Sequence, residues 1–333
     1  MITLIFGFLR QAIIQGIPLI FGSTGEILTE KSGNLNLGIP GIMYMGGISG
    51  VIGAFFYEKY GDVSNVFLCV LIPFLASLAG SALMAFIYSF LTITLRANQN
   101  VTGLALTTFG VGVGNFFGGS LSSLFGGSGG TIALNVTGNY FKTTLPFADK
   151  LGLFGSTFLS FGFLAYLAIA IALTASLILN RTRIGLNLRA VGESPATADA
   201  AGINVTLYKY LATCIGGAIA GLGGLYFVMD YIGGAWTNNG FGDRGWLAIA
   251  LVIFVIWKPK FSIPGAILFG GLYIIYIYIP EFTGMALARS SQELFNMLPY
   301  VVTIIVLCLT SMRKKREQQP PMSLGLSYFR EER

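Results

Sequence analysis

Val66–Leu95 reads VFLCVLIPFLASLAGSALMAFIYSFLTITL, thirty consecutive positions without an acidic or basic side chain. A helix of that length reaches about 45 Å, more than the ~30 Å hydrocarbon core of a bilayer. Similar runs lie on both sides of it. The apolar stretches are 5–28, 35–56, 66–95, 100–120, 157–179, 207–231, 245–257, 262–280 and 297–312. They predict an all-α, polytopic integral membrane helical bundle of about nine membrane segments over residues 1–312. The 245–257 stretch is short for a span, so a re-entrant or partly spanning element is an open alternative there.

Composition agrees with this reading. Of 333 residues, 54% are hydrophobic and only 10% charged, with a mean hydropathy of +0.74. A soluble domain carries about a quarter charged residues to wet its surface. The 45 glycines and 11 prolines suit membrane helices, where small residues let backbones approach. Gly46/Gly50, Gly110/Gly114/Gly118 and Gly217/Gly221 carry that spacing. Cys69, Cys214 and Cys308 sit far apart in apolar runs and read as packing residues.

The net charge of +6 is unevenly placed. Fourteen of the 20 basic residues fall on one side of the expected spans: Lys31, Arg96, Arg181, Arg183, Arg189, Lys209, Lys258, Lys260, the Arg313–Arg316 run, Arg330 and Arg333. The opposite side holds Lys59, Lys142, Lys150, Arg244 and Arg289. The richer side is expected to be cytoplasmic, which puts the N-terminus outside and the C-terminus inside a cell membrane. The charge is thus explained by topology without nucleic acid. No basic region precedes the first apolar run, so that run is expected to be retained as a span. Arg10, Glu26 and Asp230, near predicted span ends, are expected to reach for water.

Three stretches lie between or beyond spans. Residues 121–156 form a Gly/Ser/Thr/Asn-rich external loop, and 313–333 a polar cytoplasmic tail expected to be poorly ordered. Residues 180–206 differ. Ser194 is a good N-cap, Pro195 suits the first helical position, Ala196–Ala201 favours helix, and Gly202 fits the position past its end. A helix of about two turns is predicted there. By itself it reads equally well as a surface connector or as a docking element.

Intramembrane polar residues are candidates for a solute pathway, because they are costly in lipid. Asn34 and Asn36 enter the second run. Asn100 leads the fourth, which holds Thr102, Thr107 and Asn115. Asn and Thr suit a neutral hydroxylated ligand, and aromatics such as Phe109 and Trp246 suit stacking on a base. Helix bridging is the competing use of each.

Absences also bound the function. The chain has no histidine and no Gly-Lys dipeptide, so a His-based metal site, a Ser-His-Asp triad and a phosphate-binding Walker loop are excluded. No metal site, catalytic centre or bound cofactor is expected.

Three patches carry a resemblance. The first is Thr182-x-x-Gly185 with Arg189-Ala190-x-Gly192-Glu193 and Ala198-x-x-Ala201-Gly202-Ile203. The second runs from Gly25-Glu26 through Glu30-Lys31-Ser32-Gly33-Asn34-Leu35-Asn36-Leu37-Gly38-Ile39 to Gly41-Ile42-Met43. The third is Gly242-Asp243-Arg244-Gly245-Trp246-Leu247-Ala248 followed by Trp257-Lys258-Pro259 and Gly265-Ala266. In this order and spacing they resemble ABC importer permeases of the branched-chain amino acid, ribose and nucleoside superfamily, most closely the nucleoside or simple-sugar branch. Lys258, Pro40 and Thr107 stand where relatives often have Asn, Glu and Asn, which bears on the solute. The resemblance implies a permease subunit with nucleosides as solute, ahead of ribose-type sugars and branched-chain amino acids. It implies that Gly185, Arg189, Ala190, Gly192, Glu193, Ser194, Pro195, Ala198 and Gly202 couple to a cytoplasmic ATPase, which would bind the ATP-Mg. A second, related permease subunit forming a heterodimer, an extracellular solute-binding lipoprotein and membrane lipid complete the implied partners. An ATP-independent secondary transporter is the alternative class, and a membrane enzyme is disfavoured by the missing acid–base cluster.

Overall fold

The computed structural model describes residues 2–124, 132–146, 148–284, 289–313 and 319–329. The glycine-rich 125–131 part of the expected loop, the basic residues Lys314, Lys315 and Arg316, and Arg330 and Arg333 lie outside the described residues.

Fourteen helices are described: α1 (Ile2–Lys31), α2 (Ile39–Tyr60), α3 (Val66–Ser89), α4 (Gln99–Leu124), α5 (Asn135–Phe141), α6 (Gly152–Phe158), α7 (Phe163–Arg181), α8 (Arg183–Glu193), α9 (Pro195–Ala200), α10 (Val205–Tyr226), α11 (Arg244–Phe254), α12 (Pro259–Thr283), α13 (Arg289–Asn296) and α14 (Leu298–Arg313). Wider turns, closed by Leu95 N–H to Phe90 O and Ile232 N–H to Phe227 O, prolong α3 and α10. Two residues each of β1 (Ile132–Ala133) and β2 (Ala235–Trp236) pair antiparallel.

Among the described residues, eight helical segments are long and apolar enough to cross a membrane by length and composition. The ninth expected segment is the 11-residue α11, too short to span on its own. Helix α1 is the axis around which this is arranged. Glycines bring neighbouring backbones against it: Gly25 meets Gly216 of α10, and Gly16 meets Ala266 of α12. Tyr231, just past α10, and Arg244, opening α11, both meet Gln15 of α1, whereas Trp257, just past α11, meets Glu30. The chain therefore reverses through 232–243, and α11 returns along the Gln15–Glu30 half of α1, about 22 Å. This return brings Lys258 and Lys260 into one groove with Lys31, Arg181 and Arg189. Five of the basic residues that sequence grouped on one side are thus gathered at the Lys31 end of the bundle.

Glu26 does not reach for water. It is fully buried and accepts the Asn36 backbone N–H at 3.1 Å, so it serves the tight α1–α2 turn instead of a surface. Asn36 Oδ1 closes the same turn by accepting the Gly38 N–H at 2.9 Å.

The glycine spacings act as close-approach sites. Gly46 faces Gly221, and a Cβ on Gly224 would collide with the Met43 carbonyl and the Gly47 nitrogen. Gly224→Val is expected to lower the melting temperature of the purified chain by several degrees, because overpacking costs about 1–3 kcal/mol. Gly112→Ala, whose Cβ meets nothing within 4 Å, is expected to leave it unchanged or slightly raised.

Candidate functional site

The reversal at 232–243 carries polar chemistry into the bundle. It follows directly on α10 and is built from turn residues: Gly233 and Gly234 have φ of 84° and 83°, Asn239 of 59° and Gly242 of 57°. A left-handed Asn is tolerated where its side chain bonds locally, and Asn239 is held on both sides. Its N–H donates to Tyr44 Oη at 2.9 Å and to Asn115 Oδ1 at 3.3 Å, while Asn115 Nδ2 donates to Asn239 Oδ1 at 2.9 Å. The Tyr44 hydroxyl donates to Asn115 Oδ1. Trp236 Nε1–H donates to Asn238 Oδ1 at 3.1 Å, and its ring meets Tyr44 edge to face at 5.0 Å.

Small residues make the bed for these rings. On α4, Gly114 lies under the Tyr44 ring and Gly118 under the Trp236 indole, so either Cβ would displace an aromatic. The glycine row of α4 is therefore the seat of the loop and not a helix–helix seam alone.

Arg244 secures the far end of the loop. It is 8% exposed, donates to Phe241 O at 2.9 Å and to Gln15 Oε1 at 3.0 Å, and stands 4.5 Å from the Phe227 ring centroid. Gln15 Nε2 in turn donates to Tyr231 Oη at 2.8 Å. A buried guanidinium needs such donors and ring faces to offset its lost hydration. The space enclosed under the loop, between Met43, Tyr44, Phe227 and Trp236, is about 10 Å3. That is comparable to the ~10–15 Å3 that a single water needs. The loop is closed on its own bundle here.

The sequence-predicted pathway residues separate. Asn115 is in the cluster. Asn34 and Asn36, 1% and 0% exposed, are sealed into the α1–α2 turn. Thr102 is buried, and Thr107 donates to Leu37 O at 2.9 Å. Asn100 and Phe109 lie on the outer face of α4, and Trp246 is half-buried on α11. Sequence reading missed Gln15, Tyr44, Trp236, Asn238, Asn239 and Arg244. Its available signal was the turn-rich Gly233-Gly234 and Asn238-Asn239-Gly240 directly after a span.

At the Lys31 end of the bundle, 180–206 is more ordered than a connector. Thr182 caps the amphipathic helix α8 by accepting the Gly185 N–H at 3.1 Å. Ser194 caps α9, Pro195 opens it, and Gly202 follows at φ 83°. Ala198 packs inward with Val191 and Val205, leaving Ala196, Thr197, Ala200 and Ala201 exposed. Arg189 and Glu193 line the groove with Lys31, and Gly185 lets α8 fold tightly onto Ile178 of α7. Ala190 and Gly192 lie on the inner side, Gly192 against Lys31 of α1.

The described part of the tail is docked, contrary to its expected disorder. Ser323 donates to Gly192 O through its N–H (3.1 Å) and hydroxyl (2.5 Å), the Gly325 N–H donates to Gly33 O at 3.1 Å, and the Tyr328 hydroxyl donates to Asp199 at 2.9 Å. Composition reported the polarity and missed that the partners are backbone carbonyls of two glycines.

Residues 8–307 match the family model described as branched-chain amino acid transport system / permease component. The nucleoside ABC transporter permease protein NupC of Lactococcus lactis is 31% identical over 301 residues, with 89% of this chain and 90% of that protein covered. The guanosine ABC transporter permease protein NupQ of Bacillus subtilis is 30% identical, with 89% of each covered. TsgC13 of Haloferax volcanii, described as a glucose ABC transporter permease protein, is 30% identical with 98% of each covered.

Tyr44→Phe removes the hydroxyl that joins Asn115 to the Asn239 backbone. It is expected to cost about 1–3 kcal/mol and to speed amide exchange across 236–242 while leaving α1 and α12 protected. Truncation after residue 318 is expected to speed amide exchange across 190–202 without loss of the helical circular dichroism.

Proposed function

The chain belongs to the family of branched-chain amino acid transport system permease components, and from that membership we propose that it carries nucleosides inward past the 232–243 loop. It is a multi-pass membrane protein and the permease subunit of an ATP-binding cassette transporter, not itself an enzyme, and such a system includes an ATPase partner. The named solutes of NupC and NupQ support the nucleoside reading; TsgC13 keeps sugars as its alternative.

The observation that carries the reading is the Tyr44–Asn115–Asn239 cluster with Trp236. It offers amide and hydroxyl groups for ribose and an aromatic face for a base, with no carboxylate among its members. The same hydrogen bonds now hold the loop closed, so a solute must exchange with them. That is the behaviour of a gate.

On this reading the Lys31 end is cytoplasmic, following the basic residues gathered there, with the N-terminus outside a cell membrane. The exposed Ala196, Thr197, Ala200 and Ala201 enter a groove of the ATPase, which binds the ATP-Mg. Arg189 and Glu193 flank that groove. A related permease subunit faces α4, and an external solute-binding lipoprotein delivers the nucleoside.

Uptake of radiolabelled inosine by cells with and without the gene tests this. Gene-dependent uptake abolished by ATP depletion is expected, with ribose and leucine carried poorly. Uptake of ribose alone under the same dependence would overturn the nucleoside assignment, and uptake indifferent to ATP would overturn ATP coupling. Ala200→Trp, on the exposed face of α9, is expected to reduce recovery of the ATPase with the purified permease at least tenfold, without changing the permease's own melting temperature.

A further inference from the structure

Lys209 is the anomaly of the Lys31 end. It lies one turn inside α10, is only 3% exposed, and has no hydrogen-bond or ion-pair partner for its ammonium among the described residues. With its stem buried and no such partner, the ammonium is left to find its hydrogen bonds in the cavity it lines. Lys209 lines a cavity of about 510 Å3 that also takes in Asn34, Arg96, Gln99, Asn204 and Tyr328.

Cations and amide donors face this cavity beside one unpartnered acceptor, Asn34 Oδ1, whose amide nitrogen is spent on Thr213. Arg96, held at φ 57° with its guanidinium 4.5 Å from the Phe329 ring, contributes a second cation. The 22-residue α10 points its N-terminus at the cavity through Asn204, Val205 and Thr206. Asn204 Oδ1 takes the Leu207 N–H, which leaves earlier N–H groups of that turn open. Gln99 spends its Oε1 on the Leu35 N–H, so its amide nitrogen is the group left for a ligand. The one carboxylate in the lining, Asp199, already accepts from Tyr328. Two cations, a helix N-terminus and amide donors make a site for an anion with several acceptor oxygens.

We propose that this cavity binds a phosphate group carried by a small molecule or a lipid headgroup, with Lys209 and Arg96 as its cationic ligands. Its walls join α10 and the α3–α4 turn to Asp199 of α9, to Gly202, Ile203 and Asn204 after it, and to Ser327 and Tyr328 of the tail. Occupancy therefore ties the docking helix to the spans. The ligand's access from the cytosol rests on the topology proposed above; binding itself does not.

The test uses the full chain in nanodiscs, where both faces are open. In phosphatidylcholine discs, adenosine monophosphate or inorganic phosphate is titrated by calorimetry, and melting temperature is compared in discs with and without phosphatidylglycerol. Saturable binding in neutral discs, weakened at least tenfold by Lys209→Met and by Arg96→Gln but not by the exposed Lys150→Gln, supports the site with a soluble phosphate as ligand. A melting-temperature rise with phosphatidylglycerol that both variants lose supports the same site with a lipid headgroup. Arg96 is exposed, so Arg96→Gln keeps the test open if Lys209→Met does not fold. No response to any probe, or a response equal in wild type and both variants, overturns the proposal. Failure of inosine uptake leaves all of these readouts intact.

Discussion

Backbone at membrane depth has no water to satisfy it, so any stretch there that is not helical must find its partners within the protein. The 232–243 reversal is a non-helical stretch level with Gln15, midway along the apolar α1, and much of the bundle's geometry follows from keeping it supplied. The β1–β2 pairing and the Leu134 N–H bond to Gly234 O engage its first residues. Tyr44 and Asn115 engage its middle, and Arg244 with Gln15 its end. These supports come from α1, α2, α4 and the segment before α5. Each must approach closely, which is why glycine recurs where α4 meets Tyr44 and Trp236 and where α2 meets α10. A side chain at those positions would separate the supports before it disturbed the loop itself.

The loop and the short helix α9 lie at opposite ends of the same continuous packing. Gly192, at the end of α8, rests against Lys31, the last residue of α1. Glu30 holds Trp257 beyond α11, and Gln15, four turns up the same helix, holds Arg244 at the start of α11. Helices α1 and α11 thus form a continuous pair whose lower end touches α8 and whose upper end anchors the loop. The tail adds a second tie at the lower end through Gly33 and Gly192. Contiguity of this kind is what a displacement of α9 needs to be felt at Asn239; the energetic coupling itself is a separate quantity.

The membrane class, most span positions and the short helix at 195–200 were legible in the sequence because each rests on local chemistry: apolar run length, capping and the proline at the first helical position. The order of 183–193 was less legible, because glycines and alanines concealed the amphipathic α8 that Gly185 folds against α7. Tail docking was not legible at all, since its acceptors are carbonyls of Gly33 and Gly192, and composition carries no signal for a backbone partner. The same limit applies inside the membrane. Asn34, Asn36 and Thr107 were indistinguishable from Asn115 as polar residues in apolar runs, yet Asn34 bonds Thr213 of α10, Asn36 and Thr107 serve the α1–α2 turn and its contact with α4, and only Asn115 of the four faces the loop. What separates them is which backbone segment lies opposite, a relation that exists only once the helices are packed.

The closed loop also constrains where a solute passes. The 10 Å3 beneath it has room for about one water, far too little for a nucleoside-sized solute at that spot. Helix α4 presents the loop's Asn115 on one edge and an outward face of Val101, Leu104, Thr108, Phe109 and Phe116 on the other. A pathway that runs along that face, between this chain and a second permease, would meet Asn115 and Asn239 from the side. Opening would then require only that the Tyr44–Asn115–Asn239 bonds be exchanged for bonds to the solute, with Arg244 and the β1–β2 pair keeping both ends of the loop in place. Hydrogen-bond exchange of this kind is nearly balanced in free energy, because each bond lost to the protein is regained with the ligand. On the proposed function, a gate built so needs only a modest push from the α9 end.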